Sequence, residues 1–163
     1  MSLPKIKMRQ VVDWRAAVLA GIFSGIIFLA VNMLLTNLYV GSPWVVVRLT
    51  ASLVMGTDVL PPPATFDVTI FIVALVVHFV LSIIFASLIA IVFHRWGLLI
   101  GILGGAAFGL VLYAINFYTI TFFFPWFFPM RSWIVAVSHL VFGACAGGFY
   151  EAMEVERFVP VKA

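Results

Sequence analysis

Two histidines and two asparagines have the types and positions that could support chemistry in this chain of 163 residues. His78, His139, Asn32 and Asn116 each lie within a long apolar stretch. Polar and ionisable side chains are costly in a membrane, and those that occur there tend to mark a functional site. One histidine from each of two facing helices is the usual arrangement for ligating a b-type haem. In the other interpretation, each neutral histidine forms an interhelical hydrogen bond to an asparagine or a backbone carbonyl.

Four apolar stretches must position these side chains, at 16–37, 68–93, 98–121 and 133–152. A helix needs about 20 mostly apolar residues to cross a bilayer. The chain is 65% hydrophobic and only 9% charged, with a mean hydropathy of +1.24, whereas soluble domains carry about 25% charged residues. We therefore predict an all-α membrane protein, a four-transmembrane-helix bundle that forms a single transmembrane domain over residues 1–163.

The connection after the first stretch predicts an additional short helix. Residues 43–56 begin at a proline and end at a glycine, which are typical helix start and stop signals. This segment is too apolar for a solvated loop and too short to span a bilayer, so we predict an interfacial or re-entrant helix in the first outer loop. The charged side chains on this side suggest two structural ion pairs, joining Asp58 and Asp67 with Arg48 and Arg131.

The basic residues predict the orientation. One face carries seven of the nine lysines and arginines, and the opposite face has only Arg48 and Arg131. Basic residues flanking membrane spans concentrate on the cytoplasmic side, so both termini are predicted to be cytoplasmic. The seven residues are Lys5, Lys7, Arg9, Arg15, Arg95, Arg157 and Lys162.

Small residues four positions apart predict close helix packing. This spacing lets two helix backbones approach each other where lipid supplies no hydrophobic drive for association. By helical phase, Asn32 and Asn116 share a face with the small residues that precede them, and His78 and His139 with those that follow them. We expect the four polar side chains to line an outer crevice above the packed glycines. The glycines are Gly21, Gly25, Gly101, Gly105, Gly109, Gly143 and Gly147.

The sequence argues against several classes of function. The basic residues flank the spans, so the pI of 9.4 does not indicate nucleic-acid binding. No carboxylate or thiolate accompanies the histidines at their level, which disfavours a metal site other than haem iron. Motifs for a nucleophile with its base, a phosphate loop or a carboxylate pair are lacking. We therefore expect no enzymatic activity.

Several segments resemble a group of short four-span bacterial membrane proteins that are sometimes labelled sodium:proline symporters. The resemblance is carried by TDVLPPPATFD, LYAINFY, FPWF and HLVFGA. The symporter label does not suit this chain, because such symporters are far longer and have many more spans. The resemblance implies a multi-pass topology in a bacterial inner membrane, and it implies no mechanism and no site residues.

The patterns leave three functional hypotheses. The first is a small non-catalytic accessory or structural subunit, which packs against a larger membrane complex and holds membrane lipid in its outer crevice without a cofactor. The second is an electron-transfer subunit that binds haem b or a quinone at His78 and His139. The third is a small transporter or channel, in which several copies in a homo-oligomer build the path.

Overall fold

The computed structural model describes residues 7–161, most of which form helices. Four helices are long and apolar enough to cross a membrane, the third of them running on to Phe122 in a less regular form. A shorter apolar helix follows the first of them. The prediction of an all-α four-helix membrane bundle with an extra helix in its first connection is therefore confirmed. In chain order the helices are α1 (Trp14–Val40), α2 (Trp44–Met55), α3 (Val68–Phe93), α4 (Leu98–Ala114) and α5 (Trp133–Met153).

The third span departs from regular α-helix in its final part. After α4 ends, residues Ile115–Thr119 form a π-helix, and a 3-10 helix follows at Ile120–Phe122. A second 3-10 helix, Pro125–Met130, completes the connection to α5. The sequence predicted an uninterrupted span over 98–121, because apolar composition does not distinguish π from α geometry. π-helical turns are rare and occur frequently at functional sites.

A two-stranded antiparallel sheet joins the two ends of the described chain, and the sequence did not predict it. Strand β1 (Met8–Val11) pairs with β2 (Arg157–Pro160). The Gln10 side-chain amide donates to the carbonyl of His94, at the end of α3, over 2.8 Å. Both terminal segments and the α3–α4 turn therefore share one end of the bundle, which we call the terminal end. The opposite end, with α2 and residues 115–132, is the capped end.

Asp13 connects the start of α1 to the segment that follows α5. One carboxylate oxygen caps α1 by accepting from the backbone N–H groups of Arg15 and Ala16, and the other accepts from Val155 at 3.1 Å. Burial alone would raise the pKa of the Asp13 carboxyl, but the N–H donors hold it below the usual value. The carboxylate thus stays charged where it ties the two terminal segments together.

The transmembrane helices approach closely at glycines. A Cβ built on Gly105 would meet the Gly143 carbonyl oxygen, and one on Gly101 would lie 3.1 Å from that of Gly147. On the other side of the bundle, a Cβ on Gly21 would lie 2.7 Å from Ile83 Cα. Helix α5 therefore packs with its backbone against α4, and α1 packs in the same way against α3.

At the capped end, two arginines bond backbone carbonyls instead of carboxylates. Arg48 donates to the carbonyls of Val59 (2.8 Å) and Thr65 (3.0 Å), and thereby holds the proline-rich segment after α2. Arg131 donates to the Phe117 carbonyl. Within residues 7–161 neither arginine forms an ion pair, so the suggested pairing with Asp58 and Asp67 was wrong. The prolines and the π-helix leave carbonyls without helical donors, and these are the groups that the guanidinium ions satisfy.

Candidate functional site: an aromatic cavity with two histidines

A cavity of about 310 Å³ lies in the half of the bundle nearer the capped end, between α3 and the segment after α4. Its wall also includes α5, α1 and α2, so elements from across the chain line it. Towards the terminal end α3 and α4 are in contact, because the Phe93 ring packs on Gly104 and edge-on against Phe108. The lining is strongly aromatic and includes Phe28, Phe85, Phe117, Phe124, Phe127 and Phe142.

The structure brings three of the four polar residues from the sequence analysis to this cavity. His78 from α3, His139 from α5 and Asn116 from the π-helix all line it. Asn32 faces inward, as the helical phase predicts, and is buried, but it does not line the cavity. Its side-chain oxygen instead accepts from Thr36 one turn further along α1, at 3.3 Å. Helical phase assigns a face but not which neighbours lie at that height.

His78 is held by an interhelical hydrogen bond. Its Nε2 lies 2.8 Å from the carbonyl oxygen of Gly25 on α1, and Ser82 Oγ is 3.5 Å from the same nitrogen. Gly25 makes this approach possible, because a Cβ there would lie 2.9 Å from Ser82 Oγ. The interpretation that a histidine bonds a backbone carbonyl across the bundle therefore describes His78.

His139 is held by a bond within its own helix. Its Nδ1 lies 2.8 Å from the carbonyl oxygen of Val135, one turn earlier in α5. The backbone of His139 is fixed from the other side by Gly109, where a Cβ would meet the His139 carbonyl oxygen. The close α4–α5 contact therefore sets the position of the imidazole in the cavity wall.

Phe28 of α1 packs against both imidazoles. Its ring is stacked on His78 with the centroids 5.5 Å apart, and it meets His139 perpendicularly at 4.9 Å. A haem ligated by both histidines would have to displace Phe28, and Nε2 of His78 would have to leave Gly25. The residues in this arrangement do not fit a bis-imidazole haem.

Asn116 enters the cavity wall from the π-helix, which Arg131 supports. The guanidinium donates to the Phe117 carbonyl and to Thr121 Oγ1, both at 2.6 Å. It also lies over the rings of Tyr118 (4.7 Å) and Phe128 (4.5 Å), an arrangement with cation–π attraction. Arg131 and Thr121, whose hydroxyl also donates to the Phe117 carbonyl at 2.8 Å, therefore hold this irregular segment in place.

No protein-family model matches the chain, and no curated protein or solved structure matches it either. The resemblance to short four-span bacterial proteins stays a prediction.

The sequence did not indicate that α2 contributes to the cavity wall. Thr50 and Leu53, three residues apart on one face of this helix, line the cavity at the capped end. A polar threonine in a largely apolar helix was an available signal, but interfacial anchoring explained α2 equally well. Only the folded arrangement shows that α2 covers a cavity.

Proposed function

We propose that this protein is a non-catalytic integral membrane protein that holds a largely apolar molecule of the bilayer in the aromatic cavity and serves as an accessory subunit of a larger membrane complex. The cavity itself is the observation that supports a bound ligand. Its volume of about 310 Å³ falls within the range of small-molecule pockets, about 300–1,000 Å³. An apolar lining with a few convergent polar groups is the usual composition of such pockets.

The architecture supports a stable cavity. Close glycine contacts join α4 with α5 and α1 with α3, and they hold the helices that form the cavity wall in place. The cavity is only partly enclosed, so a lipid chain or another apolar molecule of the bilayer can enter it and contact its apolar lining. The accessory role is part of the proposal, and the apolar helix faces on the outside of the bundle leave room for a partner subunit as well as for lipid.

In this proposal the terminal end is cytoplasmic, as the basic residues predict. We expect a cysteine introduced at Asp58, with Cys145 first replaced by alanine, to react with a membrane-impermeant maleimide in intact cells. A cysteine at Met8, exposed in the β1–β2 sheet, should react only after permeabilisation. The reverse labelling pattern would contradict the orientation and place the cavity in the cytoplasmic leaflet.

Filling the cavity should remove its occupant. We expect Leu53→Trp, purified in mild detergent from native membranes at native expression, to lose a molecule that co-purifies stoichiometrically with the wild type. Mass spectrometry of the extracted small molecules measures this loss. Val54→Trp is the matched control, because Val54 is the next residue and is 71% exposed on the outside of α2.

The same preparations test the alternatives. A stoichiometric membrane complex on a native gel supports the accessory role, and a monomer in every preparation contradicts it. Equal small-molecule content in wild type and Leu53→Trp contradicts a ligand in the cavity. A Soret band in the wild type would favour the haem hypothesis over ours.

A further inference from the structure

We propose that the cavity selects an aromatic hydroxyl, the hydrogen-bond donor of a phenol or hydroquinone that carries an apolar chain. This inference rests on the proposed function, because it names the chemical class of the cavity ligand. It follows from the ring nitrogens of the two histidines that the internal hydrogen bonds leave free.

The bond to Gly25 fixes the tautomer of His78. A carbonyl oxygen only accepts, so the hydrogen of the neutral imidazole must sit on Nε2, which lies 2.8 Å from that oxygen. Nδ1 then carries a lone pair and can only accept. Ser82 Oγ, 3.5 Å from Nε2, can therefore only accept from this nitrogen, and the hydroxyl hydrogen of Ser82 stays available to another acceptor.

The bond to Val135 fixes the tautomer of His139 in the same way. Nδ1 must carry the hydrogen that it donates to the Val135 carbonyl, so Nε2 is the acceptor. Neither Nε2 of His139 nor Nδ1 of His78 has a protein partner within residues 7–161. Among the described residues, Glu151 Oε1 is the side-chain polar atom that is both fully buried and without a partner. The two ring nitrogens also lack a partner but are not fully buried, so they are accessible. Both histidine side chains line the cavity.

Acceptors thus outnumber donors in the cavity wall. The Thr50 hydroxyl donates to the Val46 carbonyl at 2.9 Å, which leaves its oxygen as a third acceptor. The Asn116 amide can donate or accept. A ligand carbonyl would face lone pairs at most of these positions, whereas a hydroxyl supplies the hydrogen that they lack. The site should therefore prefer the reduced, hydroxylated form of a quinone to the oxidised form.

The phenylalanines indicate that the hydroxyl is aromatic. Phe28 already meets both imidazoles in stacked and perpendicular geometry, and Phe85, Phe117 and Phe142 also line the space. Aromatic pairs prefer such offset and edge-to-face arrangements and gain more from them than from area alone. An aliphatic alcohol would satisfy the nitrogens but would not make these ring contacts.

Three probes of similar size test the donor hydrogen and the aromatic ring separately. They are para-pentylphenol, para-pentylanisole, which lacks the donor hydrogen, and para-pentylcyclohexanol, which lacks the aromatic ring. Binding to the purified protein is measured by titration calorimetry in detergent, with partition into protein-free micelles subtracted. We expect the phenol to bind roughly tenfold more tightly than the anisole, because the ether leaves the ring nitrogens unpaired. The cyclohexanol should bind less tightly than the phenol.

Two histidine variants test whether the preference for phenol over anisole depends on His139. His139→Phe keeps an aromatic ring but removes the acceptor, and should bring phenol and anisole to within about twofold of each other. His94→Phe is the matched control, because His94 is also buried and bonds a backbone carbonyl through Nδ1 but does not line the cavity. It should retain the selectivity.

Each unfavourable result has a distinct meaning. Equal binding of phenol and anisole to the wild type overturns the donor inference but leaves a ligand cavity. Equal binding of phenol and cyclohexanol overturns the aromatic part. Binding of none of the probes overturns this inference, whereas the proposed function is overturned by equal small-molecule content in the wild type and Leu53→Trp.

Discussion

Gly105→Leu should separate α4 from α5 and destabilise the bundle more than a leucine placed at a lipid-facing position. A Cβ at Gly105 already meets the carbonyl oxygen of Gly143, and the backbone of α5 cannot rotate away as a flexible side chain would. Overpacking typically costs about 1–3 kcal/mol, and more where backbone must move. We expect a lower thermal unfolding temperature in detergent, and Gly105→Ala should show a smaller decrease in the same direction.

The matched control is Ala107→Leu, two residues further along α4 on an exposed position. It adds similar apolar bulk towards lipid and should leave the unfolding temperature close to that of the wild type. Gly41, although it has open space around it, is a poor control because its φ of 88° strains any leucine placed there. Equal unfolding temperatures for Gly105→Leu and Ala107→Leu would contradict the close-packing argument.

Arg131→Met should loosen the π-helix and the cap. The variant keeps much of the side-chain volume but removes the two bonds at 2.6 Å to the Phe117 carbonyl and Thr121 Oγ1. Hydrogen bonds to charged groups contribute about 1.5–3 kcal/mol, and both cation–π contacts are lost with them. We expect faster backbone hydrogen exchange over 115–122, and weaker ligand binding because Asn116 and Phe117 line the cavity.

Arg48→Met provides the comparison at the same end of the molecule. Arg48 bonds the carbonyls of Val59 and Thr65, so its loss should accelerate exchange over 57–66 and leave the π-helix as in the wild type. Unchanged exchange over 115–122 in Arg131→Met would show that other contacts hold the π-helix.

The sequence alone was sufficient for the transmembrane architecture. The four spans and the short helix after the first are recognisable because span length and apolar composition are local properties, set by bilayer thickness and the need to satisfy every backbone group. The predicted span 68–93 coincides with α3, and the predicted helix 43–56 differs from α2 by one residue at each end. Helical phase also placed His78, His139 and Asn32 on buried faces.

Tertiary structure decided how those buried residues are used. The bond between His78 and Gly25 joins residues far apart in the chain, and so do the β1–β2 pairing and the contact of Gln10 with His94. Apolar patterning specifies a face but carries no information on which neighbour lies opposite it. The tautomer of His78, the height of Asn32 relative to the cavity and the position of α2 over the cavity all depend on that neighbour. The sequence therefore determined that polar groups enter the bundle, and only the packed helices determined which atoms of those groups are left to meet a ligand.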